Sequence, residues 1–285
     1  MESMRDLRLR MRSVRQSMKL TDAMCMIATS KLRKARKQLE ETRPYFESLL
    51  DAMKDISAHL DTGDSPWFDT RKLKSPRQIA TIVISSDSGM AGGFNSDIVR
   101  FAKTHCPEGS IIMPIGAIAK RRFMEENYVI LEDFSSGRKV PTVYEARDIA
   151  NFIVDRFLSG TIDEFRIVYT RMLSAVKLVP AIEQLLPLSK QDFKEEKIGS
   201  RFYCEPDTTT ALEALVPIYI KGLVYNGLVE SFASEQSARM TAMDGASQNA
   251  NKMMGSLSLS YNRARQAAIT AEVSEIVAGA AAVNE

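Results

Sequence analysis

The sequence predicts an α/β fold combined with a coiled coil, in which two long terminal helices flank an inserted α/β domain. Two observations support this fold class: a heptad repeat at each end of the chain, and strand and helix patterns that alternate in the middle. With 45% hydrophobic and 26% charged residues, the 285-residue chain has the composition of a globular protein. No stretch approaches about 18 uninterrupted apolar residues, so we expect no segment that spans a bilayer.

The first sixty residues form a heptad repeat with apolar seam positions. One seam position is apolar throughout: Met4, Met11, Met18, Cys25, Leu32, Leu39, Phe46, Met53 and Leu60. The position three residues later is Leu7, Val14, Thr21, Ala28, Ala35, Thr42, Leu49 and Ile56. A heptad of this length predicts a helix of roughly 90 Å, at ~1.5 Å per residue, that needs a partner along its seam. Pro44 lies inside the pattern and is expected to bend the helix locally.

The helical pattern returns at Asp207 and continues almost to the end of the chain. About 75 residues at ~1.5 Å each give roughly 110 Å, and Pro217 is expected to bend this helix or to begin it anew. The two terminal helices pair most simply as an antiparallel coiled coil, beyond which the longer second helix should project. Its projecting end contains Ile269, Val273, Ile276 and Val277. With small Ala and Gly residues between them, this helix end is apolar nearly all round, so another chain must bury it in a sleeve.

The middle of the chain has the hydrophobic pattern of buried strands that alternate with helices. Strand patterns begin near Gln78, Gly109 and Glu164, and a further one, YVILEDF, covers residues 128–134. Extended segments follow at residues 175–188 and 201–206, and a long helix is expected over 142–158. This alternation predicts βαβ units, a largely parallel sheet and right-handed crossovers. We therefore divide the chain into a first helix (1–60), a Rossmann-like α/β domain (61–207) and a second helix with its apolar tip (208–285).

The net charge of +2 conceals a strongly basic first helix. Residues 1–37 contain eleven lysines and arginines and three acids, a net charge of +8. Such a face favours an acidic partner, with nucleic acid, an anionic membrane or a solvated coiled-coil flank as alternatives. Residues 1–37 contain no aromatic side chain that could stack on bases, which argues against single-stranded nucleic acid. An Arg-rich start is also typical of transit peptides, but the heptad continues through it without interruption.

No arrangement of residues in the sequence predicts catalysis, and we expect no catalytic, metal or cofactor-binding residue and no cofactor. The turn Gly89–Asn95 fits neither GxGxxG nor GxxxxGK[ST], so a tight turn between strand and helix is favoured over a phosphate cradle. His59 and His105 have no second ligand or base nearby in sequence, and Ser85–Ser88 has no identifiable base. The three widely spaced cysteines are expected to be reduced structural thiols.

Segments along nearly the whole chain resemble those of one known family. They are MRSVRQSMKLTDAMCMIATSKLRKAR (11–36), RPY (43–45), SDSGMAGGFN (86–95), QLLPL (184–188), EPD (205–207), SEQSARMTAM (234–243) and YNRARQAAITAEVSEIVAGAAAV (261–283). In this order they resemble the gamma subunit of F-type ATP synthases, the central stalk of a rotary enzyme. The segment RQAAITAEVSEIVAGAA is highly specific, whereas the glycine turn alone is a weak match.

The resemblance implies a mechanical function. The coiled coil would stand in the cavity of a hexamer of alpha and beta subunits, with its tip in a sleeve. The α/β domain would form a foot with epsilon on the membrane c-ring, so the membrane is contacted only indirectly. Rotation driven by protons or sodium would couple to ATP synthesis or hydrolysis at the beta subunits, where catalysis takes place. The chain would be a peripheral protein on the cytoplasmic face of the inner membrane, and the absence of a redox cysteine insertion and of a presequence favours a bacterial origin.

The resemblance also assigns individual residues. Arg265 and Gln266 would hydrogen-bond a catch loop on beta, with Thr270 nearby. Met24 would face an acidic lever on beta. Phe202 and Glu205 would lie on the c-ring side of the foot.

The sequence departs from the family pattern in the central turn and around Met24. Ser88 replaces the usual Arg and Met90 the usual Leu, which puts in doubt a salt bridge at the turn. Asp22 and Cys25 make the segment around Met24 less basic, so its contact with an acidic lever is expected to be weaker.

Two other functions are compatible with parts of the sequence. A non-rotary coiled-coil scaffold with an α/β head would form a stable homodimer and would need no sleeve. A nucleotide-dependent enzyme would use Gly89–Asn95, whereas the rotor interpretation predicts no nucleotide binding to the isolated chain.

Overall fold

The computed structural model describes residues 3–59, 65–68, 77–134, 140–175, 177–189, 193 and 207–283. The helices in this part of the chain are α1 (Met4–His59), α2 (Phe94–His105), α3 (Ala117–Met124), α4 (Val143–Leu158) and α5 (Thr208–Val283). The strands are β1 (Ile79–Ile84), β2 (Ile111–Ile115), β3 (Val129–Ile130), β4 (Glu164–Met172) and β5 (Leu178–Leu186). The expected extended segment 201–206 lies outside the described residues.

The five strands form one sheet in the order β3-β2-β1-β4-β5. β1 pairs in parallel with β2 and β4, and β3 extends the parallel part at one edge. β5 pairs antiparallel with β4 at the other edge. The expected mixture of βαβ units in a largely parallel sheet is confirmed. β3 is shorter than its apolar sequence suggested, because only two of its residues pair with β2.

Hydrophobic packing covers both faces of the sheet. On one face, α2 and α3 form a cluster that includes Ile98, Phe123 and Val83. The connection from β3 to β4 through α4 crosses the sheet in the opposite direction to the connections through α2 and α3. A right-handed crossover therefore places α4 on the other face of the sheet. Trp67 and Phe68 are buried, and Trp67 stacks on Phe157 of α4 with ring centroids 6.3 Å apart. These two aromatic residues hold residues 65–68 against the domain.

The chain divides into two compact units, each formed by residues distant in sequence. The first comprises Met1–Ile27 and Met240–Glu285, and the second comprises Ala28–Arg239. Both α1 and α5 contribute residues to each unit.

In the first unit, α1 and α5 pack as an antiparallel pair. Arg8 donates a hydrogen bond to the hydroxyl of Tyr261 at 2.5 Å, and the Cys25 thiol contacts the carbonyl of Met240 at 3.8 Å. The α5 partner number falls as the α1 number rises, which is the antiparallel direction. Leu7 is buried in this pair. The predicted antiparallel coiled coil is therefore confirmed.

In the second unit, the heptad seams of α1 and α5 lie in a larger core. Leu32, Leu49 and Met53 are buried, and every described seam residue of α1 is buried or half-buried. Gly222 of α5 lies so close to α1 that an added Cβ would overlap the Phe46 ring. Helix α1 continues through Pro44, and α5 continues through Pro217 without beginning anew.

By length and composition alone, α5 passes as a candidate membrane span among the described helices. Half of its most apolar 18-residue window is buried within the protein. Core helices of globular domains have the same property, so this single helix is weak support for a membrane segment.

Candidate functional site

The end of α5 is an exposed apolar helix. Ile269, Val273, Ile276 and Val277 are between 52% and 66% exposed. The other described side chains from Asn262 to Gly279 are exposed as well, except the half-buried Ala264. The four large residues follow the spacing of one helical stripe, and the small Ala267, Ala271 and Ala278 are exposed on the opposite side. An exposed apolar helix end of this kind indicates a surface that a partner covers. We call residues 262–283 the tip.

The expected catch-loop residues lie at the base of the tip. Arg265 and Gln266 are exposed, one turn beyond Tyr261. Thr270 donates a hydrogen bond from its hydroxyl to the Gln266 carbonyl at 2.9 Å, which keeps it within the helix. The structure therefore brings Arg265, Gln266 and Thr270 together on consecutive turns of one exposed helix. Their contact with a beta subunit stays a prediction.

Met24 lies half-buried on α1, next to an exposed apolar strip. Leu20 and Ile27 are 58% and 56% exposed, and they fall four residues before and three residues after Met24. Residues at this spacing share one helical face. The basic residues of the same segment, such as Arg12, Arg15 and Lys19, are exposed. This segment of α1 combines positive charge with an apolar strip, which suits an acidic, partly apolar partner. Phe202 and Glu205, expected on the c-ring side, lie outside the described residues.

The sequence-based interpretation missed a polar strip on α5 that binds the end of β4. The Ser234 hydroxyl donates to the Thr170 carbonyl at 3.0 Å, and the Ser237 hydroxyl donates to the Ala175 carbonyl at 2.6 Å. A carboxylate oxygen of Glu230 accepts the Met172 amide at 3.1 Å. These three α5 side chains, which we call the polar strip, lie on one helical face. Ser234 and Ser237 are fully buried, so each hydrogen bond replaces water.

The polar strip borders a network in which the buried Tyr169 bonds the partly exposed charged side chains of Arg171 and Glu183. Tyr169 donates a hydrogen bond to Glu183 at 2.8 Å, and Arg171 bonds both Tyr169 and Glu183. Burial raises the pKa of Glu230, although the Met172 amide and the nearby Arg171 partly oppose this effect. Burial also raises the pKa of Tyr169, so it remains a neutral hydrogen-bond donor.

At the end of the polar strip, Arg239 joins α5 to the glycine turn. Its guanidinium donates to Glu235 at 2.6 Å, to the Ser88 carbonyl at 3.3 Å and to the Gly89 carbonyl at 3.2 Å. Burial raises the pKa of Glu235, and the Arg239 charge opposes this shift. The family pattern has an arginine at the position of Ser88. In this chain the turn is held instead by Arg239 of α5.

The serines and aspartate before this turn are structural. The Ser85 hydroxyl accepts the Ala119 amide at 2.8 Å, and an Asp87 carboxylate oxygen accepts the Ala117 amide at 3.0 Å. Both bonds satisfy the free amides at the start of α3. Among the described residues, no group of three or more His, Cys, Asp or Glu side chains could hold a metal ion. The buried Cys106 thiol has a pKa raised by burial, as expected for an unreactive structural cysteine.

Comparisons with known proteins identify the family. A family model described as ATP synthase matches residues 3–283. The ATP synthase gamma chain of Ruminiclostridium cellulolyticum is 42% identical over 99% of both chains. The chain belongs to the ATP synthase gamma-chain family. The gamma chain of Acetivibrio thermocellus is 40% identical over the full length of both chains, and the sodium ion-specific gamma chain of Acetobacterium woodii is 34% identical over 99% of both.

Solved structures support the same fold for this gamma-family chain. The central stalk and c-ring structure of the Tetrahymena thermophila mitochondrial ATP synthase contains a similar chain with a TM-score of 0.60 at 23% identity, covering 80% of this chain and 99% of that one. A chain in the Euglena gracilis enzyme has a TM-score of 0.67 at 19% identity, covering 98% and 94%. The family, fold class and gamma-chain role expected from the sequence are confirmed, and the named bacterial relatives agree with a bacterial origin.

Proposed function

We propose that this gamma-family chain is the rotor shaft of an F-type ATP synthase, turning inside a hexamer of alpha and beta subunits. The observation that carries this proposal is the tip, where Ile269, Val273, Ile276 and Val277 remain exposed as an apolar stripe and the small Ala267, Ala271 and Ala278 are exposed on the opposite side. A rotating helix end needs a low-friction surface around it, and an apolar sleeve without directional hydrogen bonds would provide one. A homodimer interface would instead bury a single stripe of the helix.

The shaft would act by imposing its asymmetry on the beta subunits. Helix α5 presents polar contacts at Arg265 and Gln266 and apolar contacts at the tip, so different faces of the rotor would meet each beta subunit in turn. Arg265 and Gln266 would hydrogen-bond a beta loop in one orientation and release it in another. Catalysis would take place on beta, and this chain would provide mechanical coupling.

The basic face of α1 would slide past acidic surfaces of the beta subunits around Met24. Charge attraction between exposed groups is weak and screened by salt, which suits surfaces that must separate on every turn. Long-range attraction would guide the shaft without locking it. The α/β domain would meet epsilon and the c-ring through Phe202 and Glu205, on the cytoplasmic face of the inner membrane.

Co-expression with alpha and beta subunits tests the proposal. We expect one copy of this chain for every three beta subunits in the purified complex, and faster multi-site ATP hydrolysis than alpha and beta show without it. Purification of the chain alone as a stable homodimer, with no alpha or beta bound, would favour the scaffold function and contradict the rotor.

A variant pair then tests the tip itself. Val273→Ser with Val277→Ser removes apolar surface from the tip and should reduce coupling between hydrolysis and ion transport. Tyr144→Ser with Leu158→Ser removes exposed apolar surface from α4 and serves as the matched control. Equal effects of the two pairs would contradict a specific role for the tip.

A further inference from the structure

A cavity of about 760 Å³ lies between α2 and α3, next to the glycine turn. Its volume is within the range of small-molecule sites. Val99, Arg100 and Lys103 of α2 form one wall, and Ile118 and Arg121 belong to the other. The side chains that hold α5 to the sheet do not line this cavity, so the contacts described above do not account for it.

The lining of the cavity is strongly basic. Arg100, Lys103, Arg121 and Arg122 line it, and no aspartate or glutamate is among its lining residues. Arg100 pairs with Asp97 at 2.6 Å, and Lys103 pairs with Glu126. A concave surface with one sign of charge concentrates ions of the opposite sign. The cavity is therefore suited to an anion.

Arg121 and Arg122 supply the strongest part of this charge. Both are exposed, and among the described residues neither side chain makes a hydrogen bond or an ion pair. An unpaired guanidinium retains five donors in a planar fork, which matches the geometry of phosphate oxygens better than an ammonium does. Anion binding here would not require breaking an existing salt bridge of either arginine.

The distribution of the four cations favours linked phosphates over a single phosphate. Arg100 and Lys103 are three residues apart and share one face of α2. Arg121 and Arg122 lie on α3, across the cavity. A single phosphate would satisfy one wall, whereas a chain of two or three phosphates could reach both.

Apolar groups border the same cavity. Met90 is 57% exposed, with a backbone φ of 62°, and Ile118 lines the opposite side. A left-handed φ is uncommon for methionine, so the turn holds this side chain at the cavity against its usual preference. We propose that the cavity binds an anion with two or more linked phosphates, either inorganic polyphosphate or a nucleoside triphosphate. Binding of the triphosphate would overturn the sequence-based expectation that the isolated chain binds no nucleotide, whereas binding of inorganic polyphosphate alone would agree with it.

Isothermal titration of the full chain at low salt tests this site. We expect sodium tripolyphosphate to bind with one-to-one stoichiometry and orthophosphate to bind at least tenfold more weakly. The variant Arg121→Gln with Arg122→Gln should weaken tripolyphosphate binding at least tenfold, because two charge-assisted contacts are lost. Both substitutions are exposed and preserve helix propensity, and far-UV circular dichroism confirms that the variant is folded.

A matched control separates a site from general attraction to a basic protein. Arg12→Gln with Arg15→Gln removes the same charge from exposed positions on α1. Unchanged binding by this control supports the cavity, whereas equal weakening in both variants overturns the proposal. Absence of tripolyphosphate binding to the unmodified chain also overturns it.

Titration with ATP in the absence of magnesium distinguishes the two sources of phosphate. Tighter binding of ATP than of tripolyphosphate would assign the apolar border to the nucleoside, and equal binding would assign inorganic polyphosphate. Both measurements use the isolated chain, so their outcome is independent of whether the chain assembles with alpha and beta subunits.

Discussion

Two regions of α5 differ in burial and in the contacts they make, although they belong to one continuous helix. From Leu212 to Ala233 the helix is largely buried, and in the polar strip its serines bond backbone carbonyls at the end of β4. In the tip, large apolar side chains are exposed and the one hydrogen bond of Thr270 stays within the helix. The first region is built for fixed attachment and the second for contact with another molecule.

The difference indicates how one helix can serve a rotor. Directional hydrogen bonds fix the register of the polar strip, because each buried donor loses its partner if the helix slides. Apolar contacts have no such direction, so the tip can repack against several surroundings. Predictions that separate these two kinds of contact test the proposed function.

The largest contrast concerns apolar side chains in the two regions. Leu228→Ala removes a buried side chain and should lower the free energy of unfolding by about 2–5 kcal/mol. Ile276→Ala removes an exposed side chain and should change it by no more than about 0.5 kcal/mol. Urea denaturation of both full-length variants measures the difference. A similar loss in both would mean that the tip is already buried within the chain.

Removing the hydroxyls of the polar strip should have a smaller effect. Ser234→Ala should cost about 1–3 kcal/mol, because the Thr170 carbonyl loses a buried donor. Ser256→Ala is the control, since the Ser256 hydroxyl is exposed and bonds only within α5. Thermal denaturation compares the two variants with the parent chain. An equal change in both would argue against fixed attachment through the strip.

Glu230 of the polar strip should make the folding stability depend on pH. Because its folded-state pKa is raised, the native protein binds more protons than the unfolded chain, and Glu230 reduces stability as pH rises through that pKa. Glu230→Gln keeps an acceptor for the Met172 amide and removes the charge. The stability of the variant relative to the parent should therefore increase as pH rises from about 4.5, the ordinary pKa, toward 7. Arg171 and Glu183 face the same group, and denaturation curves at several pH values measure the difference.

The smallest effect is expected at the exposed contact between the two helices of the first unit. Arg8→Gln removes the hydrogen bond to Tyr261 and the cation–π contact, whose guanidinium lies 5.4 Å from the ring centre. Exposed pairs contribute little, and salt screens them. The variant should melt near the parent temperature, and the small difference should disappear at high salt. A large loss would show that this pair determines the register of the coiled coil.

Much of the fold could be predicted from local patterns. The heptads at Met4–Ile56 and beyond Leu212 specify long paired helices, because a seam repeated every seven residues can be buried only against another helix. β3 shows where this approach fails. Its apolar sequence suggested a longer strand, but strand length depends on how far its neighbour pairs with it, and that is a tertiary property.

The apolar tip could be predicted, because it depends on the composition of one segment. The polar strip could not, because it depends on contacts between residues far apart in sequence. The apolar tip follows from Ile269 to Val277 alone, because the heptad repeat of the first helix is too short to cover it. The polar strip was missed, since serine in a helix gives no sign of which carbonyl it will meet. The available signal was the spacing of Ser234 and Ser237, which are three residues apart and so share one helical face.

The sequence by itself therefore determined the two long helices, the alternating α/β domain, the exposed tip and the family to which the chain belongs. These features are encoded in periodicity and in order along the chain. Only the tertiary structure decided which faces meet: the bonds from Ser234 to β4 and from Ser237 to the segment just after β4, the close approach at Gly222 and the basic cavity between α2 and α3. Such contacts join residues that are far apart in sequence, so their energies arise only when folding brings them together.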